Sequence, residues 1–273
     1  MSQLPILIIA GTGKTGARVD ARLQALGVAT RLVSRSTATP FDWNRPQTWP
    51  AALDGVASAY VTYQPDLAVE GSTEAIGELG RLARARGLQR LVLLSGRGEP
   101  GAQRAEAALQ ASGVPWTVVR ASWFNQNFSE GYLLDGVRAG EIALPAGAVV
   151  EPFIDADDIA DVVVAALNDQ RHAGKLYEVT GPRALSFAQA VAEISAAAGR
   201  PIGYRQVSPE AFAAGMRPFV PEEIIALMDE LFTVVLDGRN SGIADGVERA
   251  LGRPARDFSD YARKTAATGV WRA

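Results

Sequence analysis

The 273-residue sequence contains no cysteine, one histidine and no excess of positive charge. Without cysteine there are no disulfides, thiolate nucleophiles or sulfur-ligated metals. With only one histidine, His172, an imidazole metal site and a Ser–His–Asp triad are not expected. The polar residues around His172 predict that it lies in a surface loop. The formal net charge of −3 does not indicate the positively charged surface that nucleic-acid binding needs, so no nucleic-acid partner is expected.

Long apolar runs are also missing. The N-terminal segment MSQLPILIIA lacks a basic region and its apolar run is too short to cross a bilayer, so we expect a cytoplasmic protein without a membrane partner. Three acids, Asp155, Asp157 and Asp158, stand ahead of a helical segment, where carboxylates commonly act as caps. Because no second ligand cluster accompanies them, no metal site is predicted.

The most informative feature that is present is the segment ILIIAGTGKTG, residues 6–16. It places glycines in G-x-G-x-x-G spacing between a predicted buried strand, Ile6–Ala10, and an amphipathic helix, Gly16–Leu26. At such a turn the backbone can approach a pyrophosphate closely, and the helix N-terminus supplies free N–H donors. The predicted cofactor contacts in this loop are Gly11, Thr12, Gly13, Lys14, Thr15 and Gly16.

Two other interpretations of this loop exist. In a merely tight strand-to-helix turn, the glycines would serve geometry alone. A Walker A loop is suggested by the run Gly13-Lys14-Thr15, but that motif requires a glycine where this chain has Ile8. A dinucleotide is therefore the favoured ligand.

The second predicted strand, Ala29–Ser34, indicates which dinucleotide binds. An NAD site usually has an acid about 20 residues after the glycines, whereas no acid occurs from Arg31 through Phe41. Arg35, with Ser34 and Ser36 beside it, suits the 2′-phosphate of NADP(H), since a guanidinium can donate two parallel hydrogen bonds. The alternative is a solvated arginine at the end of an edge strand.

Strand and helix patterns alternate through the first half of the chain. Apolar runs at 58–64, 90–96 and 116–122 alternate with helical patterns at 74–87 and 102–113. This order predicts an α/β fold, a Rossmann-type doubly wound parallel sheet with helices on both faces and a small C-terminal α/β lobe. We expect one domain over residues 1–273, with the core in about 1–150 plus late segments and the lobe in segments after about 123.

Polar and aromatic residues follow the predicted strands at the carboxyl edge of the sheet, where ligands bind in open α/β folds. The further predicted cofactor contacts are Asp42, Trp43, Tyr63, Gln64, Ser95, Gly96, Trp123, Phe124 and Asn125, and the predicted substrate contacts are Trp123, Phe124, Asn127 and Phe128. Asp42 and Trp43 would border the adenine, unless Trp43 anchors the following turn. The aromatic residues after 122 could equally pack the junction with the lobe.

Several segments carry a resemblance to a known family: AGTGKTG, FDWNRPQTWPAAL, LVLLSGRG, SGVPWTVVRASWFNQNFSEG, FIDADDIADV and YEVTGPRALSFAQAV. They resemble the NmrA-like branch of atypical short-chain dehydrogenases. Within it, SWFNQNFSEG, FDW and DGVERALGRPARDF look most like the agroclavine dehydrogenase and festuclavine synthase group. The resemblance implies a Rossmann core, NADP(H) and reduction of an iminium or imine carbon. Ala10 replaces the first glycine of the family motif, and we expect Gly11 to take over the turn.

A second departure from the family pattern is chemical. The Tyr-x-x-x-Lys pair that protonates a carbonyl oxygen in ordinary short-chain dehydrogenases would fall on Ala102 and Glu106, neither of which can serve, and Ser95 lacks a partner. An iminium ion already carries its positive charge on nitrogen, so its reduction needs no enzymatic acid. No catalytic residue is assigned, and Tyr63 is the one candidate acid.

The sequence therefore leaves two functions open. One is an NADPH-dependent oxidoreductase acting on C=N, or on an activated C=C, of a small metabolite. The other is a non-catalytic NADP(H) sensor that acts through a protein partner. Its contact surface would lie around Ile224–Val235, in a long helix predicted over residues 221–238. Whether the protein is a monomer or a homodimer also stays open.

Overall fold

A computed structural model describes residues 4–272 of the chain. Its strands are β1 (Ile6–Ile9), β2 (Thr30–Val33), β3 (Ser58–Val61), β4 (Leu91–Gly96), β5 (Trp116–Ala121), β6 (Glu141–Leu144), β7 (Val150–Glu151), β8 (Lys175–Val179), β9 (Leu185–Ser186) and β10 (Gly203–Gln206). Its helices are α1 (Lys14–Ala25), α2 (Trp49–Leu53), α3 (Ser72–Ala85), α4 (Pro100–Ala111), α5 (Asn127–Glu130), α6 (Leu134–Ala139), α7 (Ala156–Asn168), α8 (Phe187–Ala198), α9 (Pro209–Met216), α10 (Glu222–Glu230), α11 (Gly246–Leu251) and α12 (Phe258–Ala267). Of the helices in residues 4–272, none has the length and apolar character needed to cross a membrane.

The chain divides into two compact units. The first contains residues 4–121, 156–179 and 245–253, and the second contains residues 122–155, 180–244 and 254–272. The first unit thus takes two late segments of the chain, one of which supplies its sixth strand. Each unit has its own hydrophobic core.

The first unit is built on a parallel sheet of six strands in the order β2-β1-β3-β4-β5-β8. All four residues of β1 and of β3 are buried, as expected for strands covered on both faces. Helices α2, α3 and α4 share a core with alternate residues of the strands, such as Leu7 and Ile9. This architecture confirms the predicted Rossmann-type fold, with its topological switch point between β1 and β3.

Helices α1 and α7 pack against each other and are joined by ion pairs. Arg22 on α1 contacts Asp161 at 2.6 Å and Asp157 at 2.8 Å, and Arg253 contacts the fully buried Asp158 at 2.8 Å. The pKa of Arg22 is raised: burial acts to lower it, but the hydrogen bonds that Arg22 donates to Asp161 and Asp157, together with their charges, outweigh that effect. The acids at the start of α7 therefore hold helices together.

Helix α11 lies beside β8, the last strand of the sheet. Its first residue, Gly246, approaches the strand so closely that a Cβ built on it would lie 2.0 Å from the carbonyl oxygen of Glu178. Only glycine allows this contact. A short segment from late in the chain thus covers the sheet edge.

The second unit contains the parallel pair β6–β10, the antiparallel pair β7–β9 and the packed helices α8 and α12. Its core is rich in aromatic rings that meet largely edge to face, among them Phe128, Phe153, Phe187 and Phe258. Helix α8 begins with a capping box in which Ser186 and Gln189 satisfy each other's backbone N–H groups. The predicted α/β lobe is present.

The predicted long helix over 221–238 is shorter than expected. Helix α10 ends at Glu230, and one π-helical turn, Leu231–Val235, follows it directly. Its buried residues are Ile225, Met228, Phe232 and Val235. They recur at helical spacing, and Met228 and Phe232 among them belong to the core of the second unit.

The prediction that His172 is a surface residue is wrong. Its side chain is 1% exposed, because the turn that carries it folds back onto β8. The ring nitrogen Nδ1 lies 2.8 Å from the hydroxyl of Tyr177, and Arg171 donates from Nε to Nε2 at 3.3 Å. Nε2 therefore accepts, and Nδ1 carries the proton of a neutral imidazole. Burial and then Arg171 lower the pKa of His172.

This lowered pKa predicts acid sensitivity. Below the unfolded-state pKa of about 6.5, the unfolded chain binds a proton at His172 that the folded chain refuses, so the free energy of unfolding falls as the pH decreases. Urea unfolding of wild type and His172→Gln between about pH 7.5 and about pH 5 should show a smaller loss in the variant. Equal pH dependence of the two proteins would contradict the assignment.

Candidate functional site

The glycine loop connects β1 to α1 at the carboxyl edge of the sheet. Gly13 is the N-cap of α1, no side chain caps this end, and no acid lies in the first turn. The first N–H groups of a helix have no partner within it, and the helix dipole places positive charge there. The loop therefore has the backbone features of an anion site.

Gly16 and Gly13 lack a side chain for different structural reasons. A Cβ on Gly16 would lie 2.4 Å from the carbonyl oxygen of Ala10, so the protein's own backbone forbids a side chain there. A Cβ on Gly13 would meet only that same oxygen within 4 Å, at 3.2 Å. The space in front of Gly13 is therefore kept clear of other protein atoms, as close approach of a pyrophosphate requires.

The expectation that Gly11 takes over the tight turn is wrong. Ala10 itself adopts the left-handed conformation, with φ of 57°. The turn is closed by a hydrogen bond from the N–H of Gly13 to the Ala10 carbonyl at 2.9 Å, and Ala10 is the residue that adopts the left-handed conformation. An L-residue in this region costs about 1–2 kcal/mol, so the loop tolerates strain that glycine would relieve.

Tyr60, which is not predicted from the sequence as a site residue, stabilises the start of α1 through a hydrogen bond. Tyr60 on β3 is fully buried and donates its hydroxyl to Oγ1 of Thr15, the second residue of α1, at 2.8 Å. Burial raises the pKa of Tyr60, so the phenol stays protonated. The sequence contains one indication of this contact. Tyr60 carries the only polar side-chain group in the apolar run AYV, and the hydroxyl of a buried tyrosine usually has a hydrogen-bond partner.

At the end of β2, Arg35 is exposed and makes no hydrogen bond or ion pair within residues 4–272. The hydroxyl oxygens of Ser34 and Ser36 beside it are 3.2 Å apart. Thr37 orders this turn, because its Oγ1 accepts the N–H of Ser34 at 3.0 Å. A free guanidinium and two hydroxyls are thus presented together, as the charge of a 2′-phosphate requires.

Trp43 and Tyr63 pack against each other, and the backbone carbonyl of Asp42, beside them, accepts a hydrogen bond from Trp49 Nε1 at 2.8 Å. The Trp43 ring is centred 4.6 Å from that of Tyr63, and its Nε1 donates to the Thr62 carbonyl at 3.2 Å. Both rings pack against the core, which favours the anchoring alternative for Trp43. Burial and, second, the charge of Glu74 raise the pKa of Tyr63, so its phenol is a proton donor at neutral pH.

Ser95 does have a partner, contrary to the sequence analysis. At the end of β4 its hydroxyl donates to Oε1 of the buried Glu106 on α4, at 2.5 Å. Arg120 on β5 pairs with both Glu106 oxygens and donates to Glu178 on β8 at 2.8 Å. We call this group the Ser95 cluster, which comprises Ser95, Arg97, Glu106, Arg120 and Glu178. The hydrogen bonds that Arg120 donates to Glu106 raise the pKa of Arg120.

The cluster stands where the resemblance places the tyrosine and lysine of ordinary short-chain dehydrogenases. Ala102 is fully buried and offers only a methyl group, while Glu106 is committed to Arg120. The cluster is not predicted from the sequence, although the charged Arg120 inside an apolar strand indicates a buried partner of opposite charge. Glu99 also belongs to this edge, because its carboxylate lies against Gly96.

Within the second unit, Phe128, a predicted substrate contact, lies in the aromatic core. Phe128 is fully buried and packs edge to face against Phe153 and Phe258. Trp123 is half-buried, with Phe232 and Phe187 beside its ring. Phe124 is also half-buried.

Asn125 differs from its neighbours. Its side chain is fully buried, and neither the amide nitrogen nor the amide oxygen has a hydrogen-bond partner in residues 4–272. Its backbone N–H is satisfied by Ile154 at 2.9 Å, so the segment itself is well fixed. A buried amide without partners is costly, which makes it a candidate to receive the polar groups of a ligand.

Known proteins match this chain over nearly its whole length. The NmrA-like family model matches residues 103–262. NAD(P)H azoreductase of Xenophilus azovorans is 32% identical over 96% of this chain and 98% of its own, and festuclavine synthase II of Penicillium roqueforti is 26% identical over 95% and 97%. NADPH-dependent quinone oxidoreductase QOR2 of Escherichia coli, solved with NADPH, has a TM-score of 0.75 at 19% identity, covering 95% of this chain and 99% of that one.

The fold and the glycine loop define a Rossmann-type protein of the kind that binds dinucleotides. The chain belongs to the NmrA-like family. This family includes NAD(P)H-dependent oxidoreductases, and the resemblance seen in the sequence is confirmed.

The two glycine environments predict opposite outcomes for two variants. Gly13→Val should keep the fold and abolish dinucleotide binding, since its side chain would occupy the space that a pyrophosphate needs. Gly16→Ala should instead lower the melting temperature, because its methyl group would overlap backbone. Circular dichroism measures the fold, and quenching of intrinsic fluorescence measures binding. A folded Gly13→Val with unchanged affinity would mean that the phosphates bind elsewhere.

Proposed function

We propose that the protein is an NADPH-dependent oxidoreductase that reduces an iminium or imine carbon, or an activated C=C, of a small metabolite. One observation carries the choice of acceptor: the position of the usual proton donor holds Ala102, and that of its lysine holds a carboxylate bound to Arg120. The names of the relatives, NAD(P)H azoreductase and festuclavine synthase, support an enzyme rather than a sensor.

The residues present fit a bound dinucleotide. In the first unit the uncapped α1 N-terminus would hold the pyrophosphate, and Arg35 with Ser34 would hold the 2′-phosphate. The remaining proposed contacts in that unit are the rest of the glycine loop, residues 11–16, with Asp42, Trp43, Tyr63, Gln64, Ser95 and Gly96. In the second unit we propose Trp123, Phe124 and the unpartnered amide of Asn125.

The bound cofactor supplies a hydride, and this chain's residues must do the rest. Hydride addition to an iminium carbon moves the π electrons to nitrogen and leaves a neutral amine, so no proton is required from the protein. The residues then have to orient the acceptor and exclude water. We propose Trp123, Phe124 and Asn127 as substrate contacts, because aromatic faces attract cations.

The charge near the Ser95 cluster also suits a cationic acceptor. The cluster and the adjoining Glu99 together contain three carboxylates, Glu99, Glu106 and Glu178, and two guanidinium groups, Arg97 and Arg120. This edge of the first unit therefore carries an excess of negative charge. Because Glu99 and Glu106 are buried, their effect is local: they disfavour the developing negative charge of a reduced carbonyl beside them more than a cationic acceptor.

Arg35 should decide cofactor choice. Loss of a charge-assisted hydrogen bond costs about 1.5–3 kcal/mol, so Arg35→Ala should weaken NADPH binding roughly tenfold or more and leave NADH binding unchanged. Calorimetric titration of both cofactors measures the effect. Arg81→Ala removes the same charge from exposed α3 and is the control. Equal affinity of the wild type for NADPH and NADH would contradict the assignment.

The second prediction concerns the acceptor. Wild type should oxidise NADPH with preformed cyclic iminium ions and be nearly inactive with comparable ketones, because the cluster stabilises no oxyanion. Tyr63→Phe should lower iminium turnover only modestly, since no proton is needed. Stopped-flow absorbance of NADPH gives both rates.

Two results would change this conclusion. Rapid ketone reduction that collapses in Tyr63→Phe would make Tyr63 the acid. No reaction with any electrophile, despite tight NADPH binding, would instead favour the sensor.

A further inference from the structure

We propose that Glu106, acting through Ser95, determines which electrophiles the protein reduces. By accepting the Ser95 hydroxyl proton, Glu106 turns Ser95 into a group that can only accept a hydrogen bond from a ligand. The site then lacks the oxyanion donor that a carbonyl needs. This inference rests on the proposed function and makes Glu106 a positioning residue that acts through Ser95.

The hydrogen bonds settle which group donates. Ser95 Oγ lies 2.5 Å from Glu106 Oε1, and Arg120 Nε donates to that same oxygen at 2.9 Å. Arg120 Nη2 donates to the other oxygen, Oε2. Because a guanidinium donates to both carboxylate oxygens, Glu106 has no proton to give, and Ser95 must be the donor. A serine hydroxyl has one proton, and here it is used.

The surroundings hold this arrangement in place. Glu106 is 2% exposed, so water does not compete for its oxygens. Arg120 is held from its other side by Glu178 at 2.8 Å, and Arg97 lies 3.4 Å from that second carboxylate. Three neighbouring strands, β4, β5 and β8, fix the participants. Turning the Ser95 proton away would leave a buried carboxylate with one donor fewer, which is unfavourable.

The consequence differs between acceptor classes. When hydride adds to a carbonyl carbon, the π electrons move to oxygen, and that oxyanion must be stabilised and then protonated by water. Ser95 would offer it a lone pair and repel it. When hydride adds to an iminium carbon, the electrons move to nitrogen and cancel its charge, so a lone pair nearby is tolerated.

Glu106→Gln should reverse the polarity of Ser95. With its NH₂ in the position of Oε1, the amide donates to Ser95 Oγ, and its oxygen keeps the hydrogen bond from Arg120 Nη2, while Arg120 Nε loses its acceptor on residue 106. The Ser95 proton is then free to point away from residue 106. The variant should reduce a simple ketone such as cyclohexanone at least about tenfold faster than wild type, the lower end of what one oxyanion donor provides.

The experiment compares wild type, Glu106→Gln, Ser95→Ala and the double variant. Each is checked for folding by circular dichroism and for NADPH affinity by calorimetry, and then assayed with cyclohexanone and a cyclic iminium ion. The gain of Glu106→Gln should vanish in the double variant. Neutron diffraction of the deuterated protein gives a readout independent of turnover, because it places the Ser95 deuteron toward residue 106 in wild type and away from it in Glu106→Gln.

Each outcome decides the proposal. A folded Glu106→Gln whose Ser95 deuteron points away from residue 106, and that binds NADPH and reduces the iminium ion but gains no ketone activity, overturns it and leaves the proposed function standing. If Glu106→Gln does not fold, or keeps the Ser95 deuteron toward residue 106, Ser95→Ala decides: because it removes the repelling lone pair, it should raise the ketone rate relative to the iminium rate. An unchanged or lower ratio of the two rates would show that Ser95 does not repel the oxyanion and would overturn the proposal. A wild type that reduces neither acceptor overturns the proposed function and this inference together.

Discussion

The close contact between Gly16 and the Ala10 carbonyl is the constraint on which the candidate site depends. With no Cβ at residue 16, α1 can begin directly against the end of β1, and the first turn of the helix reaches the carboxyl edge of the sheet. Ala10 accepts a strained backbone to make this turn, and Tyr60 holds Thr15 from beneath. The anion-binding geometry is thus enforced by backbone packing and needs no charged side chain.

The Ser95 cluster occupies the position that the resemblance gives to the catalytic groups of ordinary short-chain dehydrogenases, but its residues have different chemistry. A serine at the end of β4 and a helix packed over it are both present, but the helix supplies a carboxylate tied to arginine. Buried ion pairs contribute little net stability unless every group is satisfied. Because several members sit at the carboxyl ends of strands, we interpret the cluster as a functional feature as well as a structural one.

Patterns local in sequence were predictable, and contacts between distant segments were not. The glycine spacing, the strands of the sheet and the capping box of Ser186 follow from short-range rules. The burial of His172 depends on Tyr177 and Arg171 around a turn whose composition is polar. Phe128 followed a strand as a ligand-contacting residue would, but the rings that bury it come from elsewhere in the chain. The partner of Ser95 required knowing which face α4 presents to β4 and β5.

The glycine at the start of α11 has a consequence for the whole molecule. Because Gly246 lets a helix rest against the backbone of β8, the last strand of the sheet is shielded by a segment that arrives from late in the chain. An unshielded strand in this position would offer its free carbonyl and N–H groups to any extended peptide nearby. A single methyl group added at residue 246 would overlap the backbone of Glu178, push α11 away from β8 and leave the polar groups of that strand open to pairing with another chain.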